Sequence, residues 1–396
     1  MNHTPTSERL HIGIFGKRNA GKSSIINAIT EQDLAIVSDV KGTTTDPVMK
    51  AMELLPLGPV VFIDTPGLDD EGELGELRVK KAYQMLNKID VALVVIDGMN
   101  GMTAEDESIL AKIQEKGIPY IVVFNKKDLI IDNAIKSNAE NGINCIWVSA
   151  TTGENIEELK RMIANAVPKA EVSKPIVGDL IKPLDFVVLV VPIDGSAPKG
   201  RLILPQQQTI RDILEAGAVP VVVKDTKLSE MLDKLQVKPS LVITDSQVFG
   251  KVAQIAPKDI PLTSFSILMA RYKGDLKTVM RGAYALDDLQ DGDIVLISEG
   301  CTHHRQCEDI GTVKLPKWIR EYTGKDVKFE FTSGTEFPDD LSNYKMVIHC
   351  GGCMLNEHEM KYRLKCAEDI TVPMTNYGTA IAHMKGILGR SIEIFK

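Results

Sequence analysis

The sequence predicts an α/β protein of three domains, each a mainly parallel sheet flanked by helices. Two observations carry this: short apolar runs alternate with helical stretches along most of the chain, as in sheets covered by helices, and a Gly-rich loop ending in Lys-Ser joins the first run to the first helical stretch. With 396 residues the chain far exceeds the roughly 150 of an average domain.

In the first domain, expected over 1–168, the strands are His11 to Phe15, Val60 to Ile63, Val91 to Ile96, Tyr120 to Phe124 and Cys145 to Val148, with helices at Lys22 to Ile29 and Ile156 to Ala166. Residues 169–183 are rich in Pro and charge and read as a linker. Strands at Asp185 to Val191, Val219 to Val223 and Leu241 to Thr244, with helices at Gln206 to Ala216, Lys227 to Leu235 and Gln247 to Ile255, make a small domain over 184–262. Three strands bury modest area, so pairing with a second copy is expected there. The third domain, 263–396, carries strands at Asp293 to Ser298, Val327 to Phe331, Lys345 to Ile348 and Ile370 to Met374, and helices at Leu315 to Tyr322, Asn356 to Ala367 and Thr379 to Leu388.

Composition narrows the function classes. A hydrophobic share of 44% supports real cores, and a net charge of −8 argues against gripping nucleic-acid phosphates. Six cysteines are too few for a disulfide scaffold. Met1 to Gly16 lacks the basic start and apolar stretch of a signal peptide, and the longest apolar runs, Val91 to Ile96 and Phe186 to Val191, are far short of the ~20 residues that span a bilayer. The expectation is a cytoplasmic chain with no membrane segment and no nucleic-acid partner.

Gly16-Lys17-Arg18-Asn19-Ala20-Gly21-Lys22-Ser23 has the pattern of a phosphate loop. Gly16, Asn19, Ala20, Gly21 and Ser24 are expected to line the nucleotide, Lys22 to reach its outer phosphates and Ser23 to ligate Mg2+. Asp64-Thr65-Pro66-Gly67, Asn125-Lys126-Lys127-Asp128 and Ser149-Ala150 follow in order. Asp64 is placed for the Mg2+ shell and Gly67 for the γ-phosphate, while the Asp128 carboxylate can accept from guanine N1–H and its amino group, which adenine does not offer. Asn125, Lys126, Ser149 and Ala150 complete the base site. Thr44, in Gly42-Thr43-Thr44-Thr45-Asp46, is the candidate Mg2+ ligand that depends on γ-phosphate. Lys22, Thr44, Asp64 and Gly67 are thus the catalytic candidates. Leu68 stands where many small GTPases carry a water-orienting glutamine, so either hydrolysis is slow or another group assists, Leu68 being a packed residue.

Five of six cysteines and five of seven histidines follow residue 300, in Gly300-Cys301-Thr302-His303-His304 and His349-Cys350-Gly351-Gly352-Cys353 among others. Both groups follow predicted strands, whose carboxyl ends share one sheet edge, so Cys301 can meet Cys350 and Cys353. Three thiolates with an imidazole suit Zn2+ or an iron–sulfur cluster, and unliganded thiols or a Cys350–Cys353 disulfide are the remaining readings. His304 and Cys307 read as outer groups, Asp194 as a turn residue or weak oxygen ligand, and Asn376-Tyr377-Gly378 as pocket lining or a plain turn.

The first ~165 residues resemble the Era/TrmE branch of GTPases. Asn19 and the Gly42-Thr43-Thr44 segment look like members activated by K+, which implies K+ near Asn19, although this chain has Thr45 where the branch usually has Arg. Cys301-x-His303 followed by His349-Cys350-x-x-Cys353 resembles the signature of the [FeFe]-hydrogenase maturation GTPases, the HydF family. That resemblance implies a GTPase domain, a middle dimerisation domain and a C-terminal domain binding a [4Fe-4S] cluster through Cys301, Cys350 and Cys353, with His303 and His349 as further ligands or outer groups. It also implies a homodimer that carries a diiron subcluster precursor, with two radical-SAM maturases and apo-[FeFe]-hydrogenase as partners. The competing functions are an RNA- or ribosome-associated GTPase with structural zinc and a redox-sensing GTPase.

Overall fold

A computed structural model of the chain describes residues 4–31, 48–55, 57–68, 73–130, 144–167, 174–193, 202–300, 309–334, 336–338 and 340–396. The chain forms two compact units, Met1–Val172 and Ser173–Lys396.

The first unit holds a six-stranded sheet made of β1 (Leu10–Phe15), β2 (Val48–Leu54), β3 (Gly58–Asp64), β4 (Val91–Asp97), β5 (Tyr120–Asn125) and β6 (Cys145–Trp147), in the order β2-β3-β1-β4-β5-β6. Successive strand residues face opposite sides, and both faces are apolar. Ile12, Ile14, Val60 and Phe62 pack with Ile25 and Ile29 of helix Lys22–Thr30 and Leu159 and Ile163 of helix Ile156–Ala166. Val61, Ile63, Val94 and Phe124 pack on the other side, with Ala82 of helix Glu73–Met85 and Ile109 and Ile113 of helix Ala104–Glu115. One strand departs from the expected parallel pattern. β2 pairs antiparallel with β3 at the sheet edge, and its largely solvated residues carry no strong apolar alternation for sequence reading to find.

The second unit holds two four-stranded parallel sheets. One has β7 (Phe186–Val191), β8 (Val219–Lys224), β9 (Leu241–Thr244) and β10 (Leu262–Ser264), ordered β10-β9-β7-β8. β10 is a fourth strand where the sequence suggested three, and Thr263 lies inside it. The other has β11 (Ile294–Glu299), β12 (Lys328–Ser333), β13 (Met346–His349) and β14 (Met374–Asn376), ordered β12-β11-β13-β14. β14 begins at the last residue of the stretch expected to be its strand. Thr371 turns the chain with φ 58°, and Pro373 follows before pairing begins. Helices Phe265–Lys273 and Leu276–Tyr284, also beyond the sequence reading, lead from β10 toward the second sheet.

In both units the chain leaves a central strand, pairs on one side and then crosses to the other. β1 lies between β3 and β4, and β11 between β12 and β13. The loops after such strands splay apart and leave a crevice at the carboxyl edge. Gly282, inside helix Leu276–Tyr284, lets that helix approach β14 so closely that a Cβ would lie 2.0 Å from the Met374 carbonyl oxygen. Gly282→Ala should therefore destabilise the chain by about 1–3 kcal/mol through overpacking, against the ~1 kcal/mol gain that helix propensity alone would give. Urea unfolding followed by circular dichroism reads the sign.

Candidate functional site

In the first unit, β1 runs into the phosphate loop. Gly16 has φ 145°, and a Cβ there would lie 2.1 Å from the Val95 carbonyl oxygen, so only glycine lets the loop pass β4. Asn19, the candidate K+ ligand, takes φ 60°. Lys22 Nζ donates to the carbonyls of Gly16 and Lys17, both at 2.9 Å. Ser23 Oγ donates to Asp64 Oδ2 at 2.9 Å, which brings the two Mg2+ candidates together at the ends of β1 and β3. Burial pushes the Asp64 carboxyl above its ordinary range, opposed by the Ser23 hydrogen bond and the Lys22 charge. A divalent cation would offset that penalty.

The base site forms next to the loop. Asn125 Nδ2 donates to the Ala20 carbonyl at 3.1 Å, and its Oδ1 accepts from Ala150 N–H at 3.1 Å, so one buried side chain ties the phosphate loop to the Ser149-Ala150 turn. Ser149 Oγ donates to Asp128 Oδ1 at 2.6 Å, orienting an exposed carboxylate for a base edge. Lys126, at φ 65°, ion-pairs with Asp97 at 2.6 Å. Leu68 is buried with Ile63, Ala82 and Met85, the packed alternative of the two readings. Ser24 is half-buried in the first helical turn, and Gly67 follows Asp64 closely at the sheet edge. Thr44 and the rest of Gly42–Asp46 lie outside the described residues.

The second candidate site is the crevice between β11 and β13. Ser298 pairs with His349 and His349 with Asn376, so the residues after these strands leave one edge together. Gly300 N–H donates to Cys350 Sγ at 3.0 Å, and Gly352 N–H approaches the same sulfur at 3.4 Å. Gly352 takes φ 63°, and a Cβ there would lie 2.6 Å from Met360 Sδ, which explains a glycine between the cysteines. Burial, with the Cys350 sulfur beside it, pushes the Cys353 thiol up to about 11.

Two soft sulfurs held on one turn, one of them already accepting backbone N–H groups, suit a thiophilic metal or cluster, whose charge would remove the cost of ionising the thiols. Among the described residues no group of three His, Cys, Asp or Glu side chains converges as a metal site. Cys301, His303, His304, Cys307 and Asp194 lie outside them.

His349 is buried, with Nδ1 2.8 Å from the Cys350 carbonyl and Nε2 3.0 Å from Arg363 Nη1. Since arginine only donates, Nε2 accepts and Nδ1 carries the proton toward the carbonyl. Both ring nitrogens are thus engaged within the protein. Arg363, on helix Glu357–Asp369, is fully buried and donates also to Glu359 Oε1 (2.9 Å), Ser298 Oγ (3.2 Å) and the Gly334 carbonyl (2.8 Å). Tyr377 OH donates to the buried Glu299 at 3.1 Å. Burial, with the charges of Cys350 and Glu299, raises the Tyr377 hydroxyl well above its ordinary range. Asn376 instead caps its own helix, accepting from Thr379 N–H at 2.9 Å. Sequence reading missed Arg363 and Glu299, since no local pattern marks a charged residue as buried.

Residues 176–274 match the hydrogen maturase F dimerization domain and residues 277–394 the hydrogen maturase F tetramerization domain, together more than half of the chain. The chain belongs to the hydrogen maturase F family. Residues 11–126 match the 50S ribosome-binding GTPase model, so the first unit of this family member is a GTPase domain. The tRNA modification GTPase MnmE of Laribacter hongkongensis is 35% identical over 161 residues, 40% of this chain and 35% of that one. GTPase Der of Kosmotoga olearia is 33% identical over 175 residues, 40% of this chain and 39% of its own. The chain thus spans about a third of the length of the curated relatives it matches. A solved structure of a variant of Aquifex aeolicus Era bound to GDP.AlF4- is 23% identical, covering 54% of this chain and 92% of that one at a TM-score of 0.37. Among the described residues no helix is long and apolar enough to cross a membrane.

Two substitutions test these arrangements. Asp128→Asn should weaken GTP binding by about 100-fold, the loss of one charge-assisted hydrogen bond, and strengthen binding of xanthosine triphosphate, which offers an acceptor where guanine has its amino group. Titration with fluorescent nucleotides measures both. Arg363→Met leaves Glu359 buried without its guanidinium and should cost about 3–5 kcal/mol. Adding Glu359→Leu should return part of that loss in thermal unfolding.

Proposed function

We propose that this chain is a slow, K+-stimulated GTPase of the cytoplasm whose second unit holds a [4Fe-4S] cluster and carries a diiron subcluster precursor. The precursor is cargo, received from two radical-SAM maturases and delivered by a homodimer to apo-[FeFe]-hydrogenase. Family membership supports the maturation role. The observation that carries the cluster reading is the Cys350–Cys353 turn in the β11/β13 crevice, with Gly300 N–H on the Cys350 sulfur and Cys301 one peptide further along the chain.

Each residue has a defined task. Asp128 selects guanine, and Lys22 neutralises the outer phosphates once released from its own loop carbonyls. Ser23, Asp64 and Thr44 hold Mg2+, Gly67 meets the γ-phosphate and Asn19 helps to hold K+. Leu68 is a packed residue that offers no polar group to orient water, so hydrolysis is slow until another group, here the K+ beside Asn19, assists it, and the nucleotide serves as a signal. Cys301, Cys350 and Cys353 hold the cluster, His303 remains a candidate fourth ligand, and His349 steadies the Cys350 carbonyl. When bound, the cluster supplies an iron open to ligand exchange, to which cargo can attach.

Anaerobic loading with iron and sulfide tests the reading. The wild type should give the visible and EPR spectra of a [4Fe-4S] cluster and stimulate activation of apo-hydrogenase, whereas Cys301→Ala, Cys350→Ala and Cys353→Ala should each reduce cluster content by tenfold or more. A colourless protein retaining one zinc per chain would instead favour an RNA-associated GTPase with a structural metal.

A further inference from the structure

Lys273, the last residue of helix Phe265–Lys273, is buried, with 4% of its surface exposed. Its Nζ lies 3.4 Å from the Gly352 carbonyl, 3.0 Å from that of Cys353 and 2.8 Å from that of Leu355. Three carbonyl acceptors match the three N–H groups of an ammonium, one more than a neutral amine carries. The cysteine turn therefore has two sides. Its carbonyls point toward Lys273, while the N–H groups of Gly300 and Gly352 point toward the Cys350 sulfur.

Lys273 belongs to the stretch matching the dimerization domain, and its three acceptors belong to the stretch matching the tetramerization domain. Asn376 Nδ2, donating to the Ser266 carbonyl at 2.8 Å, makes a second crossing between the same stretches.

We propose that Lys273 is a positioning residue of the cysteine centre, supplied by the dimerization domain, which fixes the 350–355 turn through three carbonyls and sets a buried positive charge beside the anionic thiolate-held group. The inference rests on the cluster reading above for its electrostatic half, whereas its structural half concerns the protein alone. A fixed cation favours the more negative, reduced form of such a group, and the groups that orient ligands typically govern its retention.

The test compares full-length wild type with Lys273→Met, which keeps an unbranched apolar stem, and Lys273→Arg, which keeps the charge in a planar fork. Thermal unfolding first establishes that each variant folds. In iron-free protein, Lys273→Met should accelerate amide hydrogen exchange across 350–356 at least tenfold. In loaded protein it should lower the one-electron reduction equilibrium by about tenfold, equivalent to 59 mV, and Lys273→Arg should restore the potential. Wild-type exchange and potential in Lys273→Met would overturn the proposal. If that variant does not fold, Lys273→Arg decides by itself, because its fork cannot repeat the three-carbonyl cap. Faster exchange across 350–356 at an unchanged potential supports the proposal, and unchanged exchange overturns it. A chain that takes up no cluster overturns the cluster reading, while the exchange measurement still decides the role of Lys273 in the turn.

Discussion

Parallel pairing sets every carboxyl end of a sheet along one edge, and a crossover that changes direction leaves a crevice there that no side chain of the sheet fills. β1, flanked by β3 and β4, and β11, flanked by β12 and β13, are the strands at which this happens. The phosphate loop leaves the first, and Gly300 leaves the second to meet Cys350. The two candidate sites differ in chemistry, phosphate and base contacts in one and sulfur in the other, yet both depend on backbone N–H and carbonyl groups freed where a strand stops pairing. A different strand order would keep the same motifs on that edge but could remove the crevice beside them.

The second unit takes on a cost that the first avoids. Arg363 and Lys273 are both buried behind the cysteine turn, and removing such charges from water is expensive unless every donor is matched. Arg363 is matched by a carboxylate, a hydroxyl, an imidazole and a carbonyl, and Lys273 by three carbonyls. Replacing both by packed hydrocarbon would be the simpler way to stabilise a core. What the charges supply is orientation, because a guanidinium and an ammonium each hold several backbone segments at set angles where apolar contact would let them slide.

Much of this was legible in sequence, and the reason is locality. The phosphate loop, Asn125 to Asp128, Ser149-Ala150 and the Cys350–Cys353 turn are contiguous motifs, each following an apolar run that reads as a strand. The parallel rhythm similarly placed most strands within a residue or two. Most of what escaped lacks a local signature. β2 is an edge strand with solvated residues and β10 is three residues long, whereas the two helices after it do carry cap residues, Ser264, Gly274 and Asp275, that could have marked them. Lys273 finds its acceptors 79 to 82 positions away, a separation that no spacing rule anticipates. The histidine of His349-Cys350 looked like a ligand by its neighbour, and only the arginine arriving from another element shows that its ring is already engaged.

The Arg363 network also carries an order in time. Its partners Ser298, Gly334, His349 and Glu359 all precede it in the chain, so as synthesis proceeds from the amino end none of them can receive the guanidinium until residue 363 has left the ribosome. Until then the turn bearing Cys350 and Cys353 has no guanidinium behind it, and its thiols stand in an unfinished wall. The wall therefore closes late, and from a single side chain.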